Sequence, residues 1–272
     1  MEEIVHKLVN ESRLLNILHD NLPDSIKLSP LYVQLAAYLQ NYLTENVISV
    51  NDAIDTYSKY IAAYNKNCRS FIKTGRYPVQ NGKTVFSLSR KEYDVVLLFS
   101  VLFTTHRFRI MQLATAWSAP VEKGLYIGVG SGLEIALTGG FYKEIFAYDL
   151  KINDYLYAKF PNIQLREEFY KGQKQNYFNV VYLIELLEHL EEPYELVKIS
   201  LDTLVPGGKI FLTTASNIPQ FDHYYNFPED HSVFENNCGA LGFSVVFKER
   251  IPHHYLSMNL EASNHFYILE KL

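Results

Sequence analysis

One run, Gly124-Leu-Tyr-Ile-Gly-Val-Gly-Ser-Gly-Leu-Glu134, constrains this chain more than any other stretch. Leu125, Tyr126, Ile127 and Val129 surround a G-x-G-x-G turn at Gly128, Gly130 and Gly132, and a helix is predicted at once over Leu133 to Thr138. A strand that breaks into glycines and then a helix lets the backbone approach a ligand closely, with helix N–H groups aimed at it. The turn alone suits more than one nucleotide-bearing ligand. The strands downstream of it decide between them.

Glu144 to Asp149 reads as a second apolar strand ending in a carboxylate, placed to accept both hydroxyls of a ribose. Tyr177 to Ile184 reads as a buried fourth strand running into a helix over Glu185 to Pro193, followed by Leu204-Val-Pro-Gly-Gly-Lys-Ile-Phe-Leu. In this order and spacing the chain resembles the class I S-adenosylmethionine-dependent methyltransferases, in the branch with an "E-x-L-E-H-L … L-x-P-G-G-x-L" series, over roughly residues 121–272. The resemblance implies an α/β fold, a Rossmann-like seven-stranded sheet, with S-adenosylmethionine as cofactor. It implies that Tyr126, Gly128, Gly130, Gly132, Asp149 and Ile184 bind that cofactor. Two positions depart from the family pattern. Tyr126 replaces the acid two residues before the first glycine, and Asn179 replaces the aspartate of "F-D-V-V". The tyrosine hydroxyl is expected to take the acid's place near the methionine end.

Composition narrows the partners. The net charge is −5 and no long basic run occurs, so a nucleic-acid partner is not expected. No stretch approaches a membrane span, and the Met-Glu-Glu start lacks the basic beginning of a signal peptide, so a cytoplasmic protein is expected. Cys68 and Cys238 lie far apart and imply neither a disulfide framework nor a cysteine metal site. Twenty-one tyrosines against one tryptophan supply apolar area with a polar tip, useful in a pocket for a partly charged ligand.

Residues 1–120 read as helical, and residues 121–272 as the cofactor-binding domain. One helix is predicted over Glu2 to His19, a second after the Ser29-Pro30 cap, and a third from Asn51. Gly75 to Gly82 is the clearest loop, and Ser89-Arg-Lys-Glu92 fits a capping box ahead of a very apolar helix. This segment is read as a cap over the substrate pocket, with a homodimer surface as the alternative. Arg107 is placed to face a cofactor carboxylate.

Catalytic candidates lie after the fourth and fifth strands, since ligands bind beyond the carboxyl ends of such sheets. They are Glu185, His223 as a general base, and Tyr224, which with Tyr225 is expected to flank a sulfonium. Glu185, Glu188 and His189 would share a helix face. Similar residues bind a metal in the small-RNA 3′-end methyltransferases and the ubiquinone-pathway O-methyltransferases, with His223 or His231 as a further ligand here. The same series occurs in relatives without metal, and none is assigned. His253 and His254 are expected to face solvent. The function expected is methyl transfer to the O, N or C of a small metabolite. The alternatives are a cyclase or lyase that consumes the cofactor and releases methylthioadenosine, and a cofactor-binding protein without catalysis.

Overall fold

The computed structural model describes residues 2–79, 87–253 and 260–272. Part of the loop expected over Gly75 to Gly82, and His254, lie outside them. Among the described residues, seven α-helices precede the first strand: α1 (Glu2–Glu11), α2 (Arg13–Asp20), α3 (Asp24–Lys27), α4 (Pro30–Glu45), α5 (Val50–Thr74), α6 (Arg90–Phe103) and α7 (Thr105–Trp117). The single helix expected over Glu2 to His19 is two, because the Ser12 hydroxyl accepts the Leu15 N–H and starts a second helix there. Ser29, Ser49 and Ser89 cap α4, α5 and α6 in the same way, and Glu92 completes the capping box at α6. Gly75, at φ +65°, ends α5.

The rest alternates: β1 (Val121–Ile127), α8 (Leu133–Thr138), β2 (Tyr142–Asp149), α9 (Asp154–Lys159), β3 (Gln164–Glu167), β4 (Phe178–Leu183), α10 (Pro193–Thr203), β5 (Leu204–Ser216), α11 (Ser232–Ala240), β6 (Phe243–Pro252) and β7 (Ser263–Lys271). They form one seven-stranded sheet in the order β3-β2-β1-β4-β5-β7-β6, with β7 antiparallel to both neighbours. The predicted α/β fold is therefore present, and β6 and β7 close it as an antiparallel pair. Strands β1 to β5 run parallel, so their carboxyl ends share one edge.

Alternation along the strands sorts side chains into two cores. Leu125 and Ile127 join Val181, Leu183, Ile210 and Leu212 on the face covered by α10 and α11. Tyr126, Tyr182 and Phe211 point to the other face, where they pack with residues of α4 to α7. Helices 1–117 and the sheet thus share one continuous core on that side. Tyr126 stacks on Tyr182 at 4.6 Å between ring centroids, and Tyr182 on Phe211 at 4.9 Å, forming an aromatic ladder across three strands.

The helix expected over Glu185 to Pro193 does not form. Glu185 has φ +50°, a single 3₁₀ turn covers Leu187–His189, and Pro193 opens α10 at a position that needs no N–H donor. No helix of the described residues is long and apolar enough to cross a membrane.

Candidate functional site

Two cavities meet at the carboxyl edge of the sheet. The first, about 330 Å³, is lined by the glycine turn, Glu134, Asp149, Leu150, Phe169 and Ile184. Gly128 has φ +77°, and a Cβ there would press on Leu186 at 3.0 Å, so only glycine keeps this wall open. Gly130 also lines the cavity, whereas Gly132 does not. At φ +75°, with a Cβ position 2.6 Å from Leu156, Gly132 serves close packing of α8 against α9. The Asp149 carboxylate accepts the Gly130 N–H at 3.0 Å, which fixes the turn against the end of β2.

Helices α6 and α7 reach into this cavity. Arg90 donates to the Gly130 carbonyl, lies 3.6 Å from Asp149 and pairs at 3.0 Å with Asp94, one turn along α6. Asp94 is fully buried and also accepts from Tyr42 at 2.9 Å and from Asn153 at 3.1 Å. Burial pushes its carboxyl upward, against the opposing pull of the Arg90 guanidinium and of the Tyr42 and Asn153 donors. Those acids hold Arg90 above the ordinary guanidinium value against its own burial. One polar cluster therefore ties α4 and α6 to the loops after β1 and β2.

The second cavity, about 500 Å³, lies between α2, α5, α6 and the start of α7 on one side and the loops after β4 and β5 on the other. Tyr93, Leu97, Arg107, Glu185 and His189 border both cavities. Arg107 is buried and ion-paired to Glu185, and its Nε has no hydrogen-bond partner. Glu185 also accepts from Asn264 at 2.7 Å, and its backbone N–H is taken by Thr213 at 2.6 Å, which holds the residue in its left-handed conformation. His253 donates to Asn264 at 2.6 Å and lines the second cavity, rather than facing solvent as expected.

Glu188, His189 and His223 come together where the cavities join, each offering a ligand atom within 4.8 Å of the others. His189 donates Nδ1–H to the Asp222 carbonyl at 3.1 Å, and its ring stands edge-on to His223 at 4.8 Å. Both Glu188 oxygens and His223 Nδ1 are buried without hydrogen-bond partners. Burial, with Glu185 nearby, pushes the Glu188 carboxyl up. Burial and then His189 hold His223 well below the usual imidazole value, so its ring is neutral. For His189 the opposing pulls of Asp222 and Glu188 outweigh burial and raise it.

The structure thus places Gly128, Gly130, Asp149 and Ile184 around the first cavity, His223 on the second, and Glu185 on both. Two expectations are corrected. The Tyr126 hydroxyl bonds Thr138 at 2.6 Å and the residue does not line the first cavity, because strand alternation turns it to the face packed by the N-terminal helices. Tyr224 is 43% exposed and lines neither cavity, and Tyr225 packs on Tyr194 and Phe227. Sequence reasoning missed Arg90, Tyr93 and Glu134. Arg90 and Tyr93 open the helix whose capping box was recognised, and Glu134 closes the glycine run itself.

No protein-family model matches the chain. It is 34% identical over 68 residues to a ubiquinone biosynthesis O-methyltransferase of Albidiferax ferrireducens, a match covering 24% of this chain and 27% of that protein. The chain thus spans about a quarter of the length of this curated relative. Among solved structures, a Bacillus halodurans protein classed with the methyltransferases superposes at TM-score 0.50 and 13% identity, over 60% of this chain and 97% of that one. The N-methyltransferase NodS from Bradyrhizobium japonicum, solved with S-adenosylhomocysteine, gives 0.49 and 14%, over 60% and 84%.

Proposed function

The chain has the fold of the class I S-adenosylmethionine-dependent methyltransferases, and on that premise we propose that it transfers a methyl group from S-adenosylmethionine to a small-molecule acceptor. The observation that carries this reading is the pair of cavities joined through one shared wall: a donor seat at the glycine turn and an acceptor chamber under the cap. The first cavity fits the cofactor's chemistry. Asp149 takes the ribose hydroxyls, while Arg107, with its unpartnered Nε, and Glu134 face the carboxylate and ammonium of the methionine end.

Methyl transfer is an in-line displacement, and the protein's part is to hold acceptor, methyl carbon and sulfur in a row while excluding water. The shared wall of Tyr93, Leu97, Arg107, Glu185 and His189 sits where donor and acceptor meet. His223, neutral and with a free ring nitrogen, receives the acceptor's proton. Calorimetry tests the reading. S-adenosylhomocysteine is expected to bind and NAD not to, and Asp149→Ala is expected to weaken the former by about 1.5–3 kcal/mol. Unchanged affinity in the variant would overturn the assignment of Asp149.

One observation favours a second reading of the same cluster. The buried, unpartnered Glu188 oxygens beside two imidazoles form a donor set suited to a divalent transition metal, with Glu188, His189 and His223 as the ligands. A metal there would supply Lewis-acid activation of an acceptor oxygen. Titration with Mn²⁺, read by electron paramagnetic resonance, decides it: saturable binding abolished by Glu188→Gln supports the metal, and no binding leaves His223 as the base.

A further inference from the structure

Resting on the methyltransferase reading, we propose that the acceptor is an uncharged, planar aromatic alcohol. On α5, Tyr57, Tyr60 and Tyr64 recur at the spacing of one helix face and line the second cavity. Their rings stack in series, Tyr57 on Tyr60 at 6.1 Å and 30°, Tyr60 on Tyr64 at 6.1 Å and 17°. The row lines one side of the chamber with three aromatic rings, against which another flat ring gains aromatic contact, offset or edge-on, beyond its area alone. Leu14, Leu18 and Leu22 close the chamber on the side of α2 with aliphatic carbon. A volume of about 500 Å³ is that of a site for a molecule of drug-like size rather than a one-carbon or amino-acid acceptor.

Charge decides the rest. Among the described residues lining the chamber, the only lysine, arginine, aspartate or glutamate side chains are Arg107 and Glu185, and they are paired with each other. A carboxylate or ammonium on the acceptor would have to leave water for a site whose fixed charges are already matched, or break that buried pair. A hydroxyl meets no such penalty. At the joined end of the cavities, the His189 and His223 imidazoles line the chamber, so a ligand O–H meets a ring nitrogen there. The same end borders the donor cavity through His189 and Glu185. A ring along the tyrosine row with its hydroxyl at His223 therefore points its oxygen toward the methyl donor.

Binding to the whole protein, measured by calorimetry with and without S-adenosylhomocysteine, tests this. The probes are para-phenylphenol, its carboxylated and aminomethylated analogues, and biphenyl, which lacks the hydroxyl. Para-phenylphenol is expected to bind about tenfold or more tightly than each of the other three, a difference of roughly 1.4 kcal/mol or more. Leu18→Trp, which fills the chamber from a partly buried cap position, is expected to abolish that binding and leave S-adenosylhomocysteine affinity unchanged. Tighter or equal binding of a charged analogue overturns the proposal, as does para-phenylphenol binding that ignores Leu18→Trp. Failure of S-adenosylhomocysteine to bind the wild type instead overturns the methyltransferase reading, and the probe series without cofactor separates the two.

Discussion

Replacing Asp94 with alanine removes the centre of the cluster that joins cap to sheet. In the folded protein the carboxylate receives Arg90 at 3.0 Å, Tyr42 at 2.9 Å and Asn153 at 3.1 Å, with no exposure of its own. Alanine leaves the Arg90 guanidinium, 13% exposed, with only Asp149 at 3.6 Å and the Gly130 carbonyl as partners. Breaking a buried pair from one side costs about 3–5 kcal/mol, because the remaining charge is buried without compensation. For a chain of this size that corresponds to a fall in Tm on the order of 10 °C. Removing both charges with Arg90→Met and Asp94→Ala should restore stability to within about 1–2 kcal/mol of wild type, since no orphaned ion remains. Urea unfolding of the four proteins of this cycle gives the coupling directly. A single-variant loss below about 1 kcal/mol, or a double variant equal to the sum of the singles, would refute the account.

Tyr126→Phe should leave S-adenosylhomocysteine affinity within about twofold while losing roughly 1 kcal/mol of stability from the Thr138 bond; a tenfold affinity loss in calorimetry would return its hydroxyl to the ligand. Gly132→Ala should cost about 1–2 kcal/mol for its left-handed backbone plus a packing penalty against Leu156, whereas Gly75→Ala, with φ +65° and nothing within 4 Å of its Cβ, should show the backbone part alone in thermal melts. His231 and His265 stack at 3.3 Å on the far side of the sheet, and burial pushes them down to about 4 and about 3. Their folded values lie below the unfolded one, so protonation favours unfolding, and the stability they allow above pH ~6.5 is lost as pH falls toward 4 and below. Urea midpoints across this range should flatten in the double variant His231→Gln, His265→Phe, and an unchanged slope would refute the assignment.

Much of the fold was written locally. The glycine turn, the strand ending at Asp149 and the serine caps at 29 and 89 all follow from near neighbours in sequence, whereas the third helix starts at the Ser49 cap and not at Asn51. The site was legible where backbone position sufficed, as at Gly128, Gly130 and Asp149. It was not legible where distant partners decide. The Glu185-to-Leu190 run has strong helix formers, yet Arg107 and Asn264, each nearly eighty residues away, hold Glu185 outside the helical region. His223 and Tyr224 are adjacent in a loop without periodicity, so nothing local tells which of them turns inward. Tyr126 differs: Leu125 and Ile127 on either side already place it on the opposite face from theirs, a signal that the family pattern obscured.

The two cavities draw their walls from different stretches of chain, and that division matters for how such a protein changes by descent. Residues of α2 and α5 line the second cavity and not the first, so under the proposed function substitutions there redirect choice of acceptor while the seat for the methyl donor passes on intact. Tyr93, Leu97, Arg107, Glu185 and His189 carry no such freedom, because any change in them is felt on both sides at once. Laboratory selection for a new acceptor would gain most by randomising the tyrosine face of α5 and leaving those five positions fixed.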